Sequence, residues 1–374
     1  MAEFIVSARK YRPTTFDSVV GQSSLTSTLK NAIISNHLAH AYLFCGPRGV
    51  GKTTCARIFA KTINCLNPTA DHEACNECES CKAFNEMRSY NIHELDAASN
   101  NSVDDIRNLI AEVRVLPQIG KYSVYIIDEV HMLSTQAFNA FLKTLEEPPA
   151  HAIFILATTE KHKVLPTILS RCQIYDFNRM GIENTIQHLA SIAKKEGIVT
   201  EPEALNIIAQ KADGAMRDAL SIFDQVVASS SNNSVTYAET IANLNVLDYN
   251  YFFQLVDLFL KEDITNSLLT FNTILNKGFE AQNFINGLCG HFRNLLVCKD
   301  VETLSLLEVG NEVKEQYKQQ AQSCDIDFLY NAIRLANDCD LNYRISKNKR
   351  LLVELTLIRL CQLNNEKKKA NRVI

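Results

Sequence analysis

Gly46-Pro47-Arg48-Gly49-Val50-Gly51-Lys52-Thr53 follows the apolar run Ala41 to Cys45 and precedes a helix-forming segment that starts at Lys52 and reaches about Ile63. A strand, a glycine-rich turn and a helix in that order read as a phosphate-binding loop. The glycines let backbone N–H groups turn inward onto phosphate oxygens, Lys52 supplies a point charge for the β and γ phosphates, and the Thr53 hydroxyl suits a magnesium ion. Thr54 carries the loop into the helix. The octet implies a bound nucleoside triphosphate; alone it does not say whether the triphosphate is hydrolysed.

Outward from the loop, short apolar runs alternate with helical patterns, which indicates a parallel sheet with crossover helices. Strands are expected at Ala41 to Cys45, Ile92 to Asp96, Ser123 to Ile127, Ala152 to Ala157 and Gln173 to Phe177, enough for one doubly wound domain. The third run ends in Asp128-Glu129, and carboxylates at the C-terminal edge of a strand lie beside the phosphate loop in this fold class. Asp128 suits Mg²⁺, and Glu129 suits the orientation or deprotonation of an attacking water. Acids that only solvate a strand end are the plainer alternative; the loop upstream favours hydrolysis. Ala157-Thr158-Thr159 falls at the tip of the neighbouring strand, where a hydroxyl is within reach of the γ-phosphate or the water; a threonine that only closes the strand is the plainer alternative. Ser170-Arg171-Cys172, after a helix interrupted by Pro166, sets a guanidinium just before a strand, where it suits the nucleotide of a neighbouring subunit, although an ordinary surface arginine is the plainer reading of these residues alone. Arg217 opens a helix within Gly214 to Leu220, and a cation there is poorly matched to the helix dipole, which tilts the reading from surface charge towards function.

With 374 residues the chain exceeds what one core supports, so two or three domains are expected. The formal charge of -4 gives no overall basic field, so nucleic-acid contact requires a local surface or an assembly. No apolar stretch is long enough to span a bilayer, and Met1 to Lys10 lacks a signal-peptide core, so a cytosolic chain is expected. All eight prolines lie at or before Pro202, and after Gly214 only four glycines remain, so the last part reads as almost wholly helical. Helices are expected near Glu183 to Glu196, Glu203 to Ala212 and Met216 to Ala228, with Gly197 as a C-cap and Thr200 with Glu203 as a capping box. Ser229 to Ser234 reads as a loop. Amphipathic helices follow near Tyr251 to Leu260, Ala281 to Val297, Ile326 to Ala336 and Lys349 to Leu363, and the end from Glu366 to Arg372 is basic, a solvated helix end before a DNA contact.

Of the twelve cysteines, Cys65, Cys75, Cys78 and Cys81 cluster between the phosphate loop's helix and the next strand. Four thiolates satisfy a tetrahedral structural Zn²⁺ with no position left open, so folding support rather than catalysis is expected. The alternatives are an iron–sulfur cluster, although the Cys-Pro ending of ferredoxin runs is absent, and free thiols; the compartment disfavours disulfides. Cys289, Cys298, Cys324, Cys339 and Cys361 stand apart and read as buried small hydrophobes.

These elements, in this order, resemble the ATPases associated with diverse activities (AAA+), and more closely the gamma/tau family of bacterial DNA polymerase III clamp-loader subunits. The resemblance covers nearly the whole chain. It is carried by Lys10-Tyr11-Arg12-Pro13 with Phe16 and Val20-Gly21-Gln22, the phosphate loop, the cysteine quartet, Asp128-Glu129, Leu145-Glu146-Glu147-Pro148-Pro149, Ser170-Arg171-Cys172 and Gly214 to Leu220. It implies an α/β fold: a five-stranded parallel-sheet AAA+ ATPase core over 1–179 with a zinc module at about 64–83, a small helical lid domain over 180–245, and an all-α collar domain over 246–374. It also implies ATP, Mg²⁺ and Zn²⁺ as cofactors. Gly46, Pro47, Arg48, Gly49, Val50, Gly51, Lys52, Thr53 and Thr54 would hold the phosphates, with Lys52, Asp128 and Glu129 catalytic, Thr158 sensing the γ-phosphate, Arg217 touching phosphate from the lid and Arg171 acting in trans. Tyr11, Arg12 and Val20 would lie near adenine. The implied partners are the delta and delta-prime subunits, further copies of this chain, the sliding clamp and primer-template DNA, in a hetero-pentameric ring at the replication fork within the DNA polymerase III holoenzyme.

Two departures from the family stand out. Long members carry further domains that contact helicase and polymerase, whereas this chain stops at Ile374 just past the collar, so those contacts are not expected of it. Asn100-Asn101-Ser102 offers no basic charge where some relatives do, which leaves a DNA role there to backbone N–H groups and small polar side chains, with Lys143 a nearby candidate. Two other readings compete: a non-hydrolysing structural subunit like delta prime, against which Lys52, Thr53 and Glu129 speak, and another AAA+ DNA motor such as a branch-migration helicase or helicase loader, which would lack the cysteine insert.

Overall fold

The structure is a computed structural model and describes residues 5–230, 233–244, 247–307, 309 and 311–370. Ser231 and Asn232 of the polar run, and Asn371 and Arg372 of the basic end, lie outside the described residues. The chain divides into two compact units: one runs to Val199 and takes up Ile208–Ala228, the other comprises Thr200–Ile207 and the residues from Ser229 onward.

In the first unit five parallel strands, β1 (Ala41–Cys45), β2 (Ile92–Asp96), β3 (Ser123–Asp128), β4 (Ala152–Thr158) and β5 (Gln173–Asp176), form one sheet in the order β2-β3-β4-β1-β5. The three central strands are buried almost without interruption, as strands covered by helices on both faces must be. Side chains alternate between two cores. Tyr42 and Phe44 join Phe16, Leu29 and Phe59 beneath helices Ser23–Ile34 and Lys52–Ile63. Leu43, Tyr125 and Phe154 join Ile106, Phe138 and Phe141 beneath Val103–Val113 and Thr135–Glu146. Cys45 pairs with Thr158 across β1 and β4, and Ile127 with Leu156 across β3 and β4, so the phosphate loop, Asp128 and Thr158 emerge at the same edge of the sheet.

The expected strands are all present, β3 and β4 each running one residue further and β5 one residue less. Pro166 corrects the reading given above: it opens the short helix Pro166–Leu169 rather than interrupting one, the position where a missing N–H costs nothing. The Thr200–Glu203 capping box is also corrected. Thr200 belongs to a two-residue strand, and the helix Pro202–Lys211 starts after Glu201, whose carbonyl accepts from Leu205 N–H. Gly197 caps helix Ile182–Glu196 at φ 68, a left-handed position that suits glycine. Ser102 caps Val103–Val113 in a full capping box with Asp105, so a carboxylate already occupies that helix N-terminus.

The second unit is helical apart from the short strand residues Thr200 and Ser234–Val235, with Glu201 N–H donating to Val235 O. Helices Tyr249–Leu260, Ile264–Asn276, Ala281–Val297, Ile326–Tyr343 and Lys349–Ala370 surround a core containing Phe252, Phe259, Phe271, Phe284, Phe292 and Phe328. Cys324, Cys339 and Cys361 are buried in it as small apolar groups, while Cys289 and Cys298 are half-buried.

His291 is buried beside that core, against the rings of Phe252, Phe253 and Tyr317. Gln320 gives its amide N–H groups to Phe253 O and Asp257 Oδ1, both at 2.8 Å, which turns Oε1 towards His291 Nε2 at 3.2 Å; Nδ1 lies 2.8 Å from the Tyr317 hydroxyl. Burial pulls its pKa down to about 4. The unfolded chain takes a proton below the ordinary value of about 6.5 and the folded chain only near 4, so stability is complete above pH 6.5 and is lost as pH falls between them, by up to about 3 kcal/mol. Denaturant titrations at pH 7.5 and pH 5 should show wild type losing about 2 kcal/mol more than His291→Gln. Equal losses in the two proteins would refute this assignment.

Candidate nucleotide site and metal centre

Glycine is required at the phosphate loop by close approach as well as by φ. A Cβ on Gly46 would lie 2.4 Å from Phe177 O, and one on Gly49, at φ 77, would lie 2.9 Å from Ala215 Cβ. Gly51, left-handed at φ 105, turns the chain into helix Lys52–Ile63. Lys52 is buried at the first position of that helix, and its ammonium donates to Gly46 O and Pro47 O at 2.8 Å each. Burial lowers its pKa, and the nearby charges of Glu129 and Asp128 oppose that shift. Thr53 Oγ1 donates to Asp128 Oδ2 at 2.6 Å, so a hydroxyl and a carboxylate oxygen from distant parts of the chain meet at one point. Two hard oxygens of this kind fit Mg²⁺.

Glu129 sits in the left-handed region at φ 48 and ψ 43, an uncommon conformation for a side chain of its size. Its N–H donates to Asp128 Oδ1 at 2.9 Å, and its Oε2 accepts from the Thr159 N–H and hydroxyl at 3.2 and 3.0 Å. The kink after β3 thus points Asp128 at Thr53 and Glu129 towards the tip of β4. Thr158 is fully buried. Its hydroxyl accepts from Glu160 N–H at 3.0 Å and meets His131 Nδ1 at 3.0 Å. His131 and Glu160 were not singled out from the sequence; their proximity to Asp128-Glu129 and Thr158-Thr159 was the available signal.

The remaining sequence candidates surround this centre unevenly. Arg12 Nε donates to Thr54 Oγ1 at 3.1 Å, which sets this guanidinium at the phosphate end of helix Lys52–Ile63. Tyr11 gives its hydroxyl to Glu196, with Lys10 and Lys195 over its ring. Val20 is half-buried and Arg48 exposed. Arg217, second in helix Met216–Ser229, is tied to the loop through its N–H, 3.4 Å from Gly49 O. Arg171 is not brought to the loop: it pairs with Glu146 at 2.5 Å and donates to Thr167 O at 2.7 Å. Lys143 is exposed on helix Thr135–Glu146.

Cys65, Cys75, Cys78 and Cys81 converge, with all four sulfurs within 4.8 Å of one another. A zinc ion about 2.3 Å from each of four tetrahedral sulfurs sets them about 3.8 Å apart. Cys65 Sγ lies 3.5 Å from Cys75 Sγ and 4.0 Å from Cys78 Sγ. The backbone N–H groups of Cys75 and Cys78 donate to the sulfurs of Cys65 and Cys75 at 3.3 Å. Donors from Glu77 and Cys78 bring the Cys75 thiol down to about 6. Buried Lys61, on the phosphate loop's own helix, adds a neighbouring cation that donates to Asn76 Oδ1 at 2.7 Å. Donor set, spacing and charge all fit Zn²⁺. None of the twelve cysteines is in a disulfide.

A parallel sheet in this strand order, with a phosphate loop after β1, paired acids ending β3 and a threonine ending β4, defines an AAA+ ATPase core. Three family models match in succession: "DNA polymerase III, delta subunit" over residues 21–181, "DNA polymerase III clamp loader subunit, ATPase lid domain" over 185–232, and "DNA polymerase III subunits gamma and tau domain III" over 235–373. The chain is 32% identical to DNA polymerase III subunit gamma of Buchnera aphidicola, over 96% of this chain and 98% of that one. It is 39% identical to DNA polymerase III subunit tau of Bacillus subtilis and 37% to that of Escherichia coli, over 96% and 95% of its own length. It belongs to the gamma/tau family of bacterial DNA polymerase III clamp-loader subunits. It spans 63% and 55% of the two tau subunits. Among the described residues no helix is long and apolar enough to cross a membrane.

Proposed function

We propose that this chain is an ATP-hydrolysing motor subunit of a bacterial replicative clamp loader. The observation that carries this reading is the convergence of Lys52, the Thr53–Asp128 pair and Glu129 at one edge of the sheet. Lys52 and the loop's N–H groups bind the β and γ phosphates, Arg12 and Arg217 flank the loop, and Thr158 reads the γ-phosphate. Tyr11 and Val20 lie on the adenine side. Glu129 orients a water in line with the γ-phosphorus and takes its proton as the new P–O bond forms and the β–γ bridging bond breaks, giving ADP and phosphate. Mg²⁺, held by Thr53 and Asp128, would neutralise charge on the phosphates.

Arg171 acts on the nucleotide of the adjacent subunit, which agrees with its lying outside its own chain's loop; on arrival it exchanges Glu146 for phosphate. The site is then complete only between subunits, in a hetero-pentameric ring with delta, delta prime and further copies of this chain. ATP binding opens the sliding clamp and grips primer-template DNA, and hydrolysis releases both, in the cytoplasm at the replication fork. The intact site argues against the reading as a non-hydrolysing structural subunit.

In the assembled complex, clamp and primed DNA together should raise ATP turnover strongly, and an unchanged rate would sink the motor reading. Complexes built with Arg171→Ala should bind ATP normally and turn over at least about 100-fold more slowly, as loss of an arginine finger does. Unaffected turnover would refute the trans role.

A further inference from the structure

We propose that Glu73, in the segment between Cys65 and Cys75, is a positioning residue for the nucleotide: it clasps the chain at Phe16 and so fixes the N-terminal strap, residues 7–20, beside the phosphate loop's helix. The proposal deepens the reading above and rests on its placing of Tyr11, Arg12 and Val20 around the nucleotide.

The segment that carries Glu73 is otherwise open to solvent. Residues 66–72 are all exposed, whereas Glu73 is 6% exposed. A carboxylate withdrawn from water is destabilising unless it is paired, so the groups it faces account for its place. Both of its oxygens accept from the Phe16 N–H, at 3.1 and 3.2 Å, and Lys30 Nζ lies 3.1 Å from Oε1. Lys30, on helix Ser23–Ile34, also donates to Asp17 Oδ1 at 2.8 Å. Phe16 and Asp17 are thus gripped in succession, one through its backbone and the next through its side chain. The turn behind Glu73 closes on itself: Thr69 N–H donates to Glu73 O at 2.9 Å, and Glu73 N–H donates to Thr69 Oγ1 at 3.1 Å. Because that turn and Lys30 hold the carboxylate, the clasp does not depend on an ion in the cysteine quartet.

From the clasp the strap runs back past the nucleotide site. Arg12, four residues before Phe16, donates from Nε to Thr54 Oγ1 at 3.1 Å, and Val20 comes four residues after it. Tyr11 is held by Glu196 at the end of helix Ile182–Glu196, and Ser7 N–H donates at 2.7 Å to Asp224 Oδ2 on helix Met216–Ser229, which also carries Arg217. The strap is therefore fastened to those two helices at one end and to Glu73 and Lys30 at the other. Four residues span at most about 14 Å, so a fixed Phe16 limits how far Arg12 and Val20 can stray. With the clasp open, ATP has to order the strap as it binds, and its affinity falls by the entropy of that ordering. The loss is the same for bound ATP and for the transition state, so turnover at saturation is spared. The Phe16 ring stays in the core with Phe44 and Phe59, which leaves the fold in place when the clasp is removed.

The test measures ATP binding and steady-state hydrolysis in the assembled complex, stimulated by clamp and primed DNA, together with backbone hydrogen exchange over residues 7–20, for wild type, Glu73→Ala, Glu73→Gln and Lys30→Met. Exchange over this segment should be at least about fivefold faster in Glu73→Ala. Its Kd and KM for ATP should rise about tenfold, as for loss of a hydrogen bond to a charged group, with kcat within about twofold of wild type and the metal content unchanged. Glu73→Gln keeps an oxygen for the Phe16 N–H and should bring KM back to within about threefold of wild type. Lys30→Met removes the ammonium side of the clasp alone; it carries the test if Glu73→Ala does not fold, and should move exchange and KM the same way by at least about threefold. Unchanged exchange in Glu73→Ala or, failing its folding, in Lys30→Met would overturn the clasp. Faster exchange with unchanged ATP affinity would overturn its role at the nucleotide, as would kcat falling in step with affinity, loss of metal, or a KM in Glu73→Gln as high as in Glu73→Ala. A wild-type complex that neither binds nor hydrolyses ATP would instead overturn the motor reading.

Discussion

Replacing Glu129 by Gln should lower ATP hydrolysis by at least about 100-fold while leaving ATP binding within about twofold, since a general base contributes on the order of 10² to 10⁴. The substitution keeps the side chain's length and an oxygen that can accept from the Thr159 N–H and hydroxyl, so the left-handed turn at φ 48 has no new reason to relax. The melting temperature should stay within about 1 °C of wild type, as for a substitution that removes no packing. What is lost is the second ionised oxygen and with it the capacity to take a proton from water. Lys52→Ala acts on the other half of the site: on the proposed reading it removes the charge that binds the β and γ phosphates, so affinity should fall along with turnover. Asp128→Asn disturbs both, because Asp128 accepts from Thr53 and from Glu129 N–H. A Glu129→Gln complex hydrolysing within threefold of wild type would show that another group activates the water.

The contrast between these residues also explains what was legible in the sequence. Asp128 and Glu129 end an apolar run, and Lys52 and Thr53 end a glycine-rich loop, so each is announced by its own local pattern. The strands that carry them are buried on both faces and therefore stand out as continuous apolar segments. His131 and Glu160 have no such pattern. They meet because β3 and β4 are paired in register and the chain kinks at Glu129, which is a tertiary fact that no window of residues contains. Arg12 reaches Thr54 across 42 positions for the same reason. The capping box at Thr200 failed through competition: the segment's backbone is drawn into a short strand, and Glu201, not Thr200, stands before Pro202. In the second unit the scarcity of proline and glycine was enough to announce helices, but not the neutral histidine that burial holds between Tyr317 and Gln320.

Removing the metal from the cysteine quartet, or one of its ligands by Cys75→Ser, should destabilise the first unit by at least about 3 kcal/mol, because binding of a structural zinc is itself folding free energy. For a unit of this size that corresponds to roughly 6–12 °C in melting temperature. The structural argument is one of position. Cys65 lies two residues past the end of helix Lys52–Ile63, Cys81 is buried in helix Glu79–Asn85, and Lys61 faces the quartet from the phosphate loop's own helix. The ion would therefore anchor the far end of the helix whose N-terminus holds Lys52 and Thr53. Without it, four sulfurs within 4.8 Å of one another and the backbone donors aimed at them lose the charge that balances them. Below the melting transition, ATP affinity should change by less than about fivefold, because the helix N-terminus keeps its own contacts to Gly46, Pro47 and Asp128. Elemental analysis should give one zinc per chain in the wild type, released by a thiol-reactive mercurial together with the loss of stability. Protein purified without zinc, free of iron, and melting at the same temperature as the zinc-loaded form would leave the quartet as four free thiols.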